Sequence, residues 1–143
     1  MSTAYESATL LIRLYEMRRE PTMRDARDWY VRGFNPTSVD EIMRVMSGPH
    51  SGHFRMVTSY WDMAASFVLN GAIDEKMFND ANGEHIVVFA KLEPFITEYR
   101  GTMGNAAYLA SLDQLVLQRL GATAKEQLAS IRDRFRAMAA AAR

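Results

Sequence analysis

The sequence contains no cysteine. That absence removes disulfides, thiolate metal sites and cysteine nucleophiles together, and makes a reducing cytoplasm the expected compartment. It also lacks an excess of either charge: 17 basic residues stand against 17 acidic ones, so no overall field draws the chain to nucleic acid or to an anionic membrane. No stretch approaches the roughly 20 apolar residues of a membrane span. The opening Met1-Ser-Thr-Ala-Tyr-Glu6 lacks the basic start and apolar run of a signal peptide. The expectation is therefore a protein neither exported nor integral to a membrane. Phosphate-binding and dinucleotide-binding glycine fingerprints are missing, as is the Gly-x-Ser-x-Gly elbow of serine hydrolases. The sequence implies no cofactor.

What is present fits an ordinary folded protein. Hydrophobic residues make up 48% of the 143 and charged residues 24%, which is enough to bury a real core in one domain spanning residues 1–143. The charge that cancels overall is slightly polarised. Residues 73–98 hold six acids and two lysines, and residues 119–143 hold six basic residues and two acids. Arginine outnumbers lysine 14 to 3, a bias that base composition alone explains as well as any role of the guanidinium fork.

Helix start and stop signals recur along the chain. Thr3 with Glu6, Ser38 with Glu41 and Thr123 with Glu126 have capping-box spacing, in which hydroxyl and carboxylate satisfy each other's free backbone donors. Thr22, Asp74 and Asn105 are further candidate N-caps, and Gly33, Gly71 and Gly121 stand where left-handed C-terminal turns belong. These signals predict helices over about 3–19, 22–32, 38–47, 53–70, 74–100 with an interruption, 104–120 and 123–141. The fold class is all-α: an irregular, mainly antiparallel bundle of about six to eight helices. Ile86-Val-Val-Phe89 is the one β-like run, but Phe89, Leu92, Phe95, Ile96 and Tyr99 continue it at helical spacing. Asp80-Ala-Asn-Gly83 and Pro94 mark breaks within that segment. In the first helix, Leu10, Leu11, Leu14, Tyr15 and Met17 or Arg18 outline an apolar face.

The 53–70 helix is apolar around most of its circumference, so it is expected at the centre of the bundle. Its polar residues, Arg55, Ser59, Asp62, Ser66 and Asn70, fall on one line at spacings of four, three, four and four. Asp62 is the candidate for acid–base chemistry, paired with Glu93 or Glu98, because a carboxylate on a mostly buried helix is where a shifted pKa arises. The competing reading places it in the solvent stripe or in an ion pair with Arg55 or another arginine. His50 and His53 with Glu84-His85 are the candidate metal ligands, although their spacing is unlike that of zinc motifs. Asp80-Ala-Asn-Gly-Glu84 superficially resembles a calcium loop, but aligning its glycine puts Phe78 and Phe89 at ligand positions. A helix-turn-helix is disfavoured by the acidic Asp40-Glu41 helix start and the strongly apolar helix after it.

Two further patterns bear on partners. Ten methionines, Met43, Met46, Met56, Met63, Met77 and Met103 among them, fill core gaps or build an adaptable binding groove. Tyr60, Trp61, Phe89, Phe95, Tyr99 and Arg100 belong either to the core or to a small-molecule pocket between helices. In the last helix Leu128, Ile131, Phe135 and Met138 form a narrow apolar seam with Arg132, Asp133, Arg134 and Arg136 outside it. That seam docks on its own domain or pairs two copies in a homodimer.

Several segments together, Leu14-Tyr-Glu-Met-Arg-Arg-Glu-Pro21, Ala26-Arg-Asp-Trp29, Tyr60-Trp-Asp-Met-Ala64, Asn70-Gly-Ala-Ile-Asp74, Glu93-Pro94 and Arg100, resemble an uncharacterised, all-helical bacterial domain family of unknown function. The resemblance spans about residues 8–101. It implies an all-helical fold and supplies no activity. Taken together, the expected function is a non-catalytic helical protein-interaction or self-associating module. A small-ligand-binding regulatory domain is the alternative, and an acid–base enzyme using Asp62 the third reading.

Overall fold

The computed structural model describes residues 1–142. Among them the chain forms α1 (Ala4–Arg18), α2 (Pro21–Asp28), a π turn (Trp29–Gly33), α3 (Val39–Met46), α4 (Ser51–Leu69), α5 (Glu75–Ala81), α6 (Glu84–Leu92), α7 (Ile96–Met103), α8 (Ala110–Leu120) and α9 (Ala124–Ala141). Short 3-10 turns, Glu93–Phe95 and Gly121–Thr123, join α6 to α7 and α8 to α9. The described residues contain no strand, and the fold is an all-α helical bundle.

The helix starts show which local signals prevail. At α1 the capping box closes: Thr3 Oγ1 accepts from the Glu6 amide at 3.1 Å and Glu6 Oε1 accepts from the Thr3 amide at 2.9 Å. At α3 Ser38 caps the Glu41 amide, but the Glu41 carboxylate turns to the Thr37 amide and hydroxyl instead of closing the box. At α2 the expected cap, Thr22, is displaced by Glu20, whose carboxylate accepts from the Thr22 and Met23 amides. Pro21 then occupies the first turn, where its missing N–H costs nothing. Asp74 caps α5 as expected. Thr123 makes no cap bond to α9; its hydroxyl accepts from the Gln127 side chain. Gly71 and Gly121 adopt positive φ at the expected stops, whereas Gly33 does not.

The largest departure is at α8, which begins at Ala110 and not near 104. Leu109 is held at φ 55°, a left-handed conformation that costs a branched side chain about 1 kcal/mol or more. Burial of that side chain in the core and the bond from Arg100 Nε to the Tyr108 carbonyl, 2.8 Å, hold the turn against this cost.

α4 is the axis of the molecule, packing against α2, α3, α5, α6 and α8. Phe54, Val57, Tyr60, Trp61, Ala64, Ala65 and Val68 are buried along it. α1 turns Leu14 inward and packs Leu10 and Leu11 on the core, but Tyr15 and Met17, grouped with them by periodicity, are 53% and 50% exposed. The seam of α9 meets its own domain: α9 packs on α6, α8 and the π turn, with Leu128 fully buried and Ile131 against the core. Met138, at its far end, is 56% exposed.

Candidate functional site

The first concentration of polar groups lies where α1, α2, α4 and α6 meet. Arg27 makes a bidentate pair with Glu84, 2.9 and 3.0 Å, and donates to the Arg18 carbonyl. Trp61 Nε1 donates to Glu84 Oε2 at 3.0 Å. The Arg18 guanidinium donates to the Tyr60 hydroxyl, which donates in turn to the Leu14 carbonyl, and it lies over the Trp61 ring. The hydrogen bond to Glu84 raises the Arg27 pKa against the opposing effect of burial, and burial raises that of Tyr60. These groups satisfy one another, so the cluster ties four helices together and presents no free acid, base or nucleophile. Most of its members come from the segments that carry the family resemblance; the pairing of Arg27 with Glu84 has no signature in the sequence.

Asp62 has a different partner from any expected. Its Oδ1 accepts from the Leu112 amide at 3.0 Å, so a carboxylate on α4 caps the first turn of α8 from outside the helix. This is the group that Leu109, with its apolar side chain, does not provide. Glu93 is engaged by Arg132 and Glu98 is exposed.

Two clefts flank the outer ridge of α4 and share Ser59. One, about 680 Å³, lies between the α1–α2 junction and α4 and is lined by Met17, Glu20, Met23, Met56, Ser59, Tyr60 and Met63. The other, about 610 Å³, lies towards α7 and the start of α8, where Arg55, Asp62, Tyr99, Tyr108, Met46 and Met103 converge. Burial raises the pKa of both tyrosines. Of the pocket-forming aromatic set, Tyr60 and Tyr99 reach clefts, Trp61 and Phe89 are core residues, and Arg100 pairs with Asp113.

The histidines do not converge. His50 stacks on Trp29 at 4.9 Å with His53 beside it, while His85 is buried between Trp61 and Phe78. Among the described residues no three histidine or carboxylate side chains are placed to hold a metal ion. Burial, with Arg119 adding to it, lowers the His85 pKa to about 4.

Lys91 is a residue that sequence reasoning misses. It is 2% exposed, and its ammonium donates to the carbonyls of Tyr30, Val31 and Phe34 at 2.8, 2.8 and 2.7 Å. Two of these carbonyls belong to the π turn and the third to the residue that follows it, where the helical hydrogen-bond ladder ends. Burial, aided by Arg136, lowers its pKa to about 8. The one signal available in the sequence is a lysine within the otherwise apolar Ile86–Leu92 run.

The structure thus defines a class: an all-helical bundle with a self-satisfied polar centre and methionine-lined clefts along its central helix. Residues 3–119 match the family described as a domain of unknown function, DUF4760, and the chain belongs to that family. No curated protein and no solved structure matches the chain. α9 lies beyond the matched residues.

Proposed function

We propose that the chain is a helical protein-interaction module that receives an amphipathic helix of a partner protein on the outer ridge of α4. The observation that carries this reading is the distribution of methionine: Met17, Met23, Met46, Met56, Met63 and Met103, six of the ten in the chain, line two clefts that share Ser59. Unbranched, polarizable side chains that adapt to an incoming helix suit such a surface. Asp62 and Glu93, two of the carboxylates considered for catalysis, are engaged in capping and pairing. With no cysteine in the sequence, we place the protein in the bacterial cytoplasm.

A photo-crosslinking side chain at Ser59, introduced in the source cell, tests the reading against one at Gln118 on the exposed side of α8. A discrete partner captured from Ser59, absent from Gln118 and lost on Met63→Glu, supports it. Equal capture from both positions, or none from either, refutes it. The cleft containing Arg55, Asp62, Tyr99 and Tyr108 favours a second reading, a small polar ligand. Saturable stabilisation by a metabolite, abolished by Tyr99→Phe with Tyr108→Phe, would select it.

A further inference from the structure

Two asparagines of the chain precede glycine, Asn70 and Asn82, and the fold treats them differently. Asn70 closes α4. Its backbone amide and its side-chain Nδ2 both donate to the Ser66 carbonyl, at 3.0 and 2.8 Å, and the Gly71 amide donates to the Val68 carbonyl at 3.0 Å. The nitrogen that follows Asn70 is therefore tied into the helix end. Asn82 closes α5 in extended backbone, at φ −136° and ψ 140°. Its Nδ2 donates to the Phe78 carbonyl at 3.1 Å, but among the described residues the Gly83 amide nitrogen has no acceptor. Gly83 is exposed, and the space where a side chain would stand is open.

An asparagine side chain and the next backbone nitrogen are reactants held on one chain, so what limits their reaction is access and orientation. At Asn82 the bond to Phe78 has to open and the backbone has to turn about ψ. At Asn70 the helix-end bond of Gly71 has to break as well.

We propose that Asn82 is a site of spontaneous deamidation, and that its modification loosens the corner that presents Glu84 to Arg27 and Trp61. Hydroxide removes the proton of the Gly83 amide, whose nitrogen attacks Asn82 Cγ. The new N–Cγ bond closes a succinimide ring while the Cγ–Nδ2 bond breaks, and Nδ2 leaves as ammonia. Water then opens the ring at either carbonyl, giving aspartate or isoaspartate; the sum is one water consumed and one ammonia released. Either product carries a carboxylate that cannot donate to the Phe78 carbonyl, and its charge lies at the C-terminal end of α5, the unfavourable end for an anion. Isoaspartate also adds a methylene to the backbone two residues before Glu84, whose carboxylate Arg27 and Trp61 hold at 2.9–3.0 Å.

The test is incubation of the folded full chain in mildly alkaline buffer, with peptide mapping by mass spectrometry and detection of isoaspartate by enzymatic carboxyl methylation. Asn82 should convert at least about tenfold faster than Asn70, the difference set by the extra bond that Gly71 gives up. In concentrated urea the two rates should converge, because the fold no longer separates them. Gly83→Ala, which meets open space at an ordinary φ, should keep Asn82 intact by crowding the attacking nitrogen. The deamidated fraction, resolved by ion exchange, should unfold at lower urea than the intact fraction. Equal rates at the two asparagines in the folded chain, or a difference that persists in urea, overturn the assignment of the site to the fold. A deamidated fraction as stable as the intact one overturns the loosening of the corner.

Discussion

Trp61 shows how one side chain can serve both packing and polarity. It is 1% exposed and its Nε1 donates to Glu84. Trp61→Ala should therefore cost about 3–5 kcal/mol, read by urea denaturation; a loss below about 1 kcal/mol would mean that the core is elsewhere. His85 shows the cost of an unpaired polar ring. Among the described residues neither of its nitrogens has a hydrogen-bond partner, and its pKa is lowered from 6.5 to about 4. As pH falls below 6.5 the unfolded chain takes up the proton and the folded one does not. The stability it contributes is present above about pH 6.5 and is lost on the way down to pH 4. The expected loss from this group is about 2 kcal/mol at pH 5. Denaturation midpoints from pH 7 to 5 should fall more steeply for the native chain than for His85→Leu, and parallel curves would refute the assignment.

Among the elements, α8 depends most on tertiary help. Its start has a left-handed leucine and a cap supplied by α4. Asp62→Ala should cost about 0.5–2 kcal/mol, the range for a lost N-cap, and speed hydrogen exchange at Leu112. Asp62→Asn, which keeps an acceptor oxygen, should lose less. Equal effects from the two substitutions would show that charge at the helix terminus, not the hydrogen bond, matters there. The contrast with α1 explains what was legible. Thr3 and Glu6 are three residues apart and exposed, so spacing alone sets their geometry. The same spacing fails at Thr123 and Glu126, because a 3-10 turn runs into α9 and leaves Thr123 outside an extended cap conformation.

For the molecule as a whole, the scatter of the histidines bears on metal binding. His50 and His53 lie beside Trp29, His85 beside Trp61 and Phe78. After dialysis against chelator and addition of zinc or calcium at micromolar concentration, elemental analysis should find no stoichiometric metal retained. Retention lost on His50→Ala or His53→Ala would contradict this. Among the described residues no helix is long and apolar enough to cross a membrane.

The all-helical class, the central place of residues 53–70 and a break within Asp80-Ala-Asn-Gly83 follow from the sequence by itself. Periodicity, apolar circumference and turn chemistry act between residues a few positions apart, and local interactions settle them. Which polar groups meet was decided by the tertiary structure. Glu84 joins Arg27 across 57 positions, Lys91 reaches the carbonyls of Tyr30 and Val31 across about 60, and Asp62 caps a helix 50 residues later. Burial obliges each of these groups to find a partner, but the identity of that partner depends on which helix the packing of α4 brings alongside.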